Sequence, residues 1–111
     1  MEAWELKAEA IKGTLDDLIV SLCADFGRRE DASSAVDINP RCRMEYEYLN
    51  YRIYEGANEI VGERYARLYI NEIGKRIGFA QSKHTAISER MYKLQKKLVK
   101  YNIARKLHLV E

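Results

Sequence analysis

The sequence predicts an all-α protein that folds as a single domain, residues 1 to 111, built of about four helices. Apolar residues recur at steps of three and four through most of the chain, which is the spacing of an amphipathic helix. The chain has a single proline, and 47% of its residues are hydrophobic and 32% charged, which is typical of a globular protein. A length of 111 residues is enough to bury one hydrophobic core.

The first predicted helix carries the longest apolar stripe. Its members are Trp4, Ala8, Ile11, Leu15, Leu18 and Leu22, with Ile19, Cys23 and Phe26 beside them. We expect Leu15, Leu18 and Leu22 to be buried. Gly13 indicates a kink or a new start within this helix. The segment EDASSAVDI, residues 30 to 38, is rich in small polar residues without periodicity and predicts the main loop.

Asn39 and Pro40 predict the start of the second helix, because asparagine caps unpaired amides and proline suits the first helical turn. The apolar residues of this helix project to one side: Tyr46, Leu49, Ile53, Tyr54, Ala57, Ile60 and Val61. Tyr48 and Tyr51 project to the other side, and they are candidate contacts for a protein partner because exposed tyrosines are favoured at interfaces. A third helix is predicted over residues 63 to 77.

The last helix is predicted to start at Ser88, a good capping residue. Met91, Leu94, Leu98 and Tyr101 cluster on its apolar face, and Tyr92, Val99 and Ile103 extend this face. The remaining arc carries five cations, Arg90, Lys93, Lys96, Lys97 and Lys100. No acidic residue lies between Glu89 and Glu111 to neutralise these cations. Such a face is either an ordinary solvated surface or a surface for phosphates, whose binding would release counterions.

Charge is divided unevenly along the chain. The acidic half, residues 1 to 63, has 7 Lys+Arg against 14 Asp+Glu, and the basic half, residues 64 to 111, has 12 against 3. This division predicts one of two arrangements. Either the halves attract each other, within one molecule or between two, or the basic half contacts nucleic acid.

The string ISERMYKLQKKLVKYNIARKLHLVE resembles the carboxy-terminal helix of small helix-turn-helix regulators from phages and mobile elements of Gram-positive bacteria. The DNA-binding part of those regulators is similar to region 4 of sigma factors. The resemblance covers residues 63 to 111 at most, and its matching positions are Ser88, Arg90, Tyr92, Lys93, Lys96, Lys97, Ala104, Leu107 and Leu109. The connection from Phe79 to Ile87 is longer than the three or four residues of a standard helix-turn-helix.

The resemblance implies a small DNA-binding or transcription-associated protein of a mobile element, with a helix-turn-helix-like carboxy-terminal part. The expected nucleic-acid contacts lie in the last helix and in the segment before it: Lys75, Arg76, Lys83, His84, Arg90, Tyr92, Lys93, Lys96, Lys97 and Lys100. The alternative is a protein-interaction module, which forms a homodimer or binds another protein through its tyrosines and its segregated charges.

Other classes of protein are not indicated. Cys23, Cys42, His84 and His108 lack the paired spacing of a zinc site, and there is neither a Gly-rich phosphate loop nor a nucleophile elbow. We therefore expect no metal, no cofactor, no small-molecule substrate and no enzymatic activity. The chain has no run of roughly 20 apolar residues, and its acidic, amphipathic start is not a secretory signal. The expected location is the cytoplasm, without a membrane partner.

Overall fold

The structure is a computed structural model that describes residues 11 to 110 and contains five α-helices in that range. They are α1 (Gly13–Ala24), α2 (Phe26–Ser33), α3 (Pro40–Val61), α4 (Glu63–Gly74) and α5 (Glu89–Lys106), with a 3-10 helix at Phe79–Gln81. The α3 helix packs against α2, α4 and α5, and α1 packs against α4, so that the helices form one domain. The predicted all-α class is confirmed. Trp4 and Ala8 lie outside the described residues.

The first helical region is divided at Asp25, where the backbone leaves the α-helical range (φ −92°, ψ 3°). Its second part, α2, includes the first four of residues 30 to 38, so the prediction of a loop is wrong there. A buried polar pair holds α2 against α3. Arg29 Nε donates to Asn50 Oδ1 at 2.7 Å, and Asn50 Nδ2 donates to the carbonyl of Phe26 at 3.0 Å. Because both side chains are buried, these hydrogen bonds specify how α2 lies on α3.

The α3 helix begins as the sequence predicts. Asn39 Oδ1 accepts hydrogen bonds from the backbone N–H groups of Arg41, at 2.9 Å, and Cys42, at 3.4 Å. Pro40 occupies the first turn, where its missing N–H leaves no bond unmade. Gly62 ends the helix with φ at 83°, a conformation that glycine adopts readily, and α4 follows directly.

The core lies between α3 and α5 and is closed by α1 and α4. Gly56 allows α3 and α5 to approach closely, because a Cβ at this position would lie 2.9 Å from the Cα of Ile103. In the described part of the chain, eight residues have no exposed surface: Ile19, Ile53, Ala57, Ala66, Tyr69, Val99, Ile103 and Ala104. They come from four of the five helices, so the core depends on contacts between distant parts of the chain.

The buried face of α1 is rotated relative to the prediction. Ile19 and Cys23 are buried, whereas Leu15 and Leu22 are partly buried and Leu18 is 42% exposed. The apolar stripe of this helix is wide enough for several orientations, and the packing of α1 on α4 selects the one centred on Ile19. The prediction that Leu18 is buried is therefore wrong.

We expect Leu18→Ala to lower the free energy of unfolding by less than about 1 kcal/mol, because a half-exposed side chain leaves no closed cavity when it is shortened. Urea unfolding followed by circular dichroism would measure the change. A loss above about 2 kcal/mol would contradict the exposure of Leu18 and would mean that another surface covers it.

The α4 helix ends at Gly74, three residues before the predicted end at 77. Arg76 adopts a left-handed conformation (φ 54°), and the N–H of the next residue, Ile77, returns to the carbonyl of Glu72 at 2.9 Å. At the far end of the connection, Ser88 Oγ accepts from an N–H in the first turn of α5, which confirms the predicted start of that helix. None of the helices between residues 11 and 110 is long and apolar enough to span a membrane.

Candidate nucleic-acid interface

Two of the five cations predicted on the outer face of α5 make contacts inside the molecule. Lys96 Nζ donates to the carbonyl of Ile77 at 2.7 Å, and burial together with the charge of Lys100 lowers the pKa of Lys96. Lys100 Nζ lies 2.8 Å from a carboxylate oxygen of Asp16, and both of these side chains are mostly covered. These lysines hold the connection and α1 against α5, so neither belongs to the exposed cationic face of α5.

Tyr92, predicted to contact nucleic acid, is 1% exposed. Its ring packs against Tyr69 and Phe79, with ring centroids 5.6 Å and 5.8 Å away, and its hydroxyl donates to Glu72 Oε1 at 2.8 Å. Burial and the hydrogen bond to Glu72 raise the pKa of Tyr92 to about 12. A buried ring cannot stack on a base, so the prediction of a nucleic-acid contact at Tyr92 is wrong.

His84 is also buried, at 9% exposure, although the sequence suggested an exposed residue in a loop. Its ring stacks on Tyr65 with centroids 4.0 Å apart, and its Nδ1 lies 2.8 Å from the hydroxyl of Tyr69. The Tyr69 hydroxyl in turn donates to Gln95 Oε1 at 2.7 Å. His84 therefore joins the connection to α4 and α5, and its predicted contact with phosphate is wrong.

Glu72 was not singled out from the sequence, yet it organises the connection. It is 1% exposed and accepts three hydrogen bonds, from Ser82 Oγ at 2.6 Å, from the Lys83 N–H at 2.8 Å and from the hydroxyl of Tyr92. Burial acts to raise the pKa of Glu72, but these hydrogen bonds and the charge of Lys96 outweigh burial, and the pKa lies below its usual value. The sequence did contain one sign of this role: Glu72 is an acidic residue placed among the apolar residues of α4, next to Ile73.

The remaining six predicted contact residues are exposed: Lys75, Arg76, Lys83, Arg90, Lys93 and Lys97. Two of them pair with exposed carboxylates, Arg76 with Asp17 and Lys93 with Glu89, each at 3.0 Å. Three make no ion pair with any residue between 11 and 110: Lys75, Lys83 and Arg90. Exposed pairs contribute little to stability, so Arg76 and Lys93 can exchange their carboxylate for a phosphate at low cost.

Ion pairs join the acidic half of the chain to the basic half. They are Asp16–Lys100, Asp17–Arg76, Glu30–Arg67, Glu55–Lys106, Glu59–Arg105 and Glu59–Lys106. Lys106 Nζ lies 2.6 Å from one carboxylate oxygen of Glu59, and hydrogen bonds from Asn102 and Lys106 lower the pKa of Glu59. The acidic and basic halves of the sequence therefore attract each other within one molecule, which accounts for part of the division of charge.

Tyr48 and Tyr51 project away from the core, as predicted, with 54% and 60% of their surface exposed. Their part in an interface remains a prediction. Among residues 11 to 110, no three or more His, Cys, Asp or Glu side chains are grouped so that they could hold a metal ion. Cys23 and Cys42 are not bonded to each other, and burial raises the pKa of the Cys23 thiol to about 12.

Comparison of the chain with protein-family models, with curated proteins and with solved structures finds no match.

Proposed function

We propose that the protein is a small DNA-binding protein that contacts phosphates through the outer face of the first half of α5. One observation carries this proposal. Arg90, Lys93 and Lys97 are all exposed and follow one another at steps of three and four, so they form a single cationic face on α5. A row of cations along one face of a helix suits the regular spacing of backbone phosphates.

The connection before α5 extends this surface. The N–H of Lys83 and the hydroxyl of Tyr92 bind the carboxylate of Glu72, which fixes Lys83 near the start of α5 while its own side chain is exposed. A cation in this position supports a phosphate contact beside that of Arg90. A role in transcription within a mobile element rests on the resemblance of residues 63 to 111 alone.

The test is a binding measurement with duplex DNA across roughly 50 to 200 mM salt. Changing Arg90, Lys93 and Lys97 together to glutamine removes up to three phosphate contacts. We expect the slope of log K against log[salt] to become shallower by up to about 3 units, and the affinity at low salt to fall at least about tenfold.

A matched control removes the same charge elsewhere. Lys12, Arg28 and Arg64 are exposed, so changing these three to glutamine alters the net charge equally. If the control weakens binding as much as the α5 variant, the attraction is a general effect of net charge and the proposed surface is wrong. Absence of binding to any duplex at low salt would also overturn the proposal.

A second candidate function is a protein-interaction module. Six ion pairs between the halves, counted among the described residues 11 to 110, favour it, because they neutralise many of the segregated charges without nucleic acid. The exposed tyrosines of α3 supply a surface for a partner. If the duplex measurements show no binding, the protein-interaction module becomes the better-supported function.

A further inference from the structure

The outer face of α3 exposes three large side chains in a row. Met44, Tyr48 and Tyr51 are 71%, 54% and 60% exposed, and their steps of four and three place them on one stripe of the helix. Scattered apolar residues are normal on a surface, but a continuous stripe on one helix marks an interaction site. The spacing is that of the contact seam between two paired helices.

The charges beside this stripe indicate what covers it. Glu45 and Arg52 lie seven residues apart on the same flank of the stripe and carry opposite charges. When two copies of a helix pair antiparallel about a two-fold axis, a residue before the centre meets a residue after the centre, and the contact occurs twice. Around a centre near Tyr48, Glu45 of each copy then lies beside Arg52 of the other copy.

We propose that a second copy of this chain docks on α3, with the two α3 helices antiparallel and Tyr48 of each copy against Tyr48 and Tyr51 of the other. In a parallel pair, residues on the same flank lie on opposite sides of the contact, so Glu45 and Arg52 would not meet and neither charge would find its opposite. The charge pattern therefore fits its own copy in one orientation.

Contacts within the chain prepare this surface for pairing. Arg52 Nε lies 3.3 Å from the Tyr48 hydroxyl, its guanidinium lies 5.3 Å from the centre of the Tyr48 ring, and it pairs with Glu55 at 3.1 Å. Arg52 is thus held in place before a partner arrives, which reduces the entropy lost on binding. Among residues 11 to 110, Glu45 has one weak ion-pair partner, Arg41 at 3.4 Å, and both side chains are mostly exposed. Glu45 can therefore turn to a partner at low cost.

A second copy of the chain is the partner of the protein-interaction surface, and its docking does not depend on nucleic-acid binding. The cationic face lies on α5 and the tyrosine stripe on α3, and they share no residue. Failure of the duplex measurements would therefore leave the dimer untouched, and absence of a dimer would leave DNA binding untouched.

Sedimentation equilibrium over roughly 10 to 500 μM protein tests the proposal. We expect a reversible dimer of the unaltered chain. Glu45→Arg places two like charges together at each of two contacts, and Arg52→Glu does the same, so each variant alone should raise the dimer Kd at least about tenfold. A one-to-one mixture of the two variants should regain the affinity of the original chain, because opposite charges then meet at both contacts of the mixed dimer.

Asp31→Arg is the control, since Asp31 is exposed on α2 and its change alters net charge as Glu45→Arg does. It should leave the dimer Kd within about twofold. Arg52→Glu also removes contacts to Tyr48 and Glu55, so circular dichroism must show that it folds. If it does not fold, Tyr48→Ser replaces it and should weaken the dimer at least about tenfold without lowering the melting temperature. A monomer at every concentration, or Glu45→Arg dimerising as tightly as the original chain, would overturn the proposal. So would a folded pair of variants whose mixture regains no affinity.

Discussion

Replacing Glu72 by alanine should lower the free energy of unfolding by about 3 to 5 kcal/mol, which corresponds to a fall of more than 10 °C in the melting temperature. The variant leaves the hydroxyls of Ser82 and Tyr92 and the N–H of Lys83 without their acceptor in a buried site. It also removes the negative charge near Lys96, whose ammonium is partly buried. Urea unfolding at pH 7 measures the effect.

The effect should depend on pH in a defined direction. The pKa of Glu72 lies below its ordinary value, so its ionised form stabilises the folded protein above the ordinary glutamate pKa of about 4.3. That contribution is lost as the pH falls through the pKa of the folded state. The difference in stability between the original chain and the Glu72→Ala variant should therefore be largest at neutral pH and shrink in acid.

Glu47→Ala serves as the comparison, because Glu47 is exposed on α3. It should change the stability by less than about 0.5 kcal/mol. A loss below about 1 kcal/mol for Glu72→Ala, or a difference that stays constant down to pH 3, would show that the carboxylate does not hold the connection.

Gly74→Ala should destabilise the protein by about 2 to 3 kcal/mol, although alanine favours a helix by about 1 kcal/mol over glycine. A Cβ at position 74 would lie 2.6 Å from the backbone nitrogen of Ala24, 2.7 Å from its Cα and 2.8 Å from the carbonyl carbon of Cys23. These are backbone atoms, so relief of the overlap requires α4 and α1 to move apart.

Gly27→Ala is the matched control for the helix propensity. A Cβ at Gly27 would have no neighbour within 4 Å, and we expect this variant to stabilise the protein by about 0.5 to 1 kcal/mol. The two changes are chemically identical and should have opposite signs in the same urea titration. Stabilisation by Gly74→Ala would mean that α1 and α4 are less closely packed than described.

Local signals predicted the helix boundaries best. Asn39 and Pro40 act through hydrogen bonds and backbone geometry within one turn, and Ser88 likewise caps α5. The last four residues of α2, 30 to 33, were predicted as loop because this segment has little apolar periodicity. What stabilises it is Arg29, a charged residue whose partner Asn50 lies on another helix. A contact of this kind cannot be inferred from spacing along one segment.

The side of a helix that faces the core was predicted correctly where the apolar stripe is narrow, and incorrectly where the stripe is wide. On α3, the outward direction of Tyr48 and Tyr51 followed from projection alone. On α1, neighbouring apolar residues allowed several orientations, and Leu18 was placed inside in error.

At the candidate site too, some features were predictable from the sequence and others were not. Exposure of Arg90, Lys93 and Lys97 follows from their place on α5. The burial of Tyr92 and His84 depends on a polar cluster built from α4, the connection and α5, around the single acid Glu72. A sequence shows the charge of such an acid but not the donors that surround it. Nucleic-acid binding and self-association both remain predictions.

The packing of α5 along α3 has a consequence for synthesis of the chain. Gly56 meets Ile103, and Asp16 pairs with Lys100 across 84 positions of sequence, so the last helix closes a core begun by the first. Contacts this distant form late, because the intervening chain loses entropy when it is closed. A growing polypeptide therefore leaves the inner side of α3, with Ile53, open to water until α5 has left the ribosome. A stop codon within α5 would yield a chain that remains in that unfinished state and is prone to aggregate.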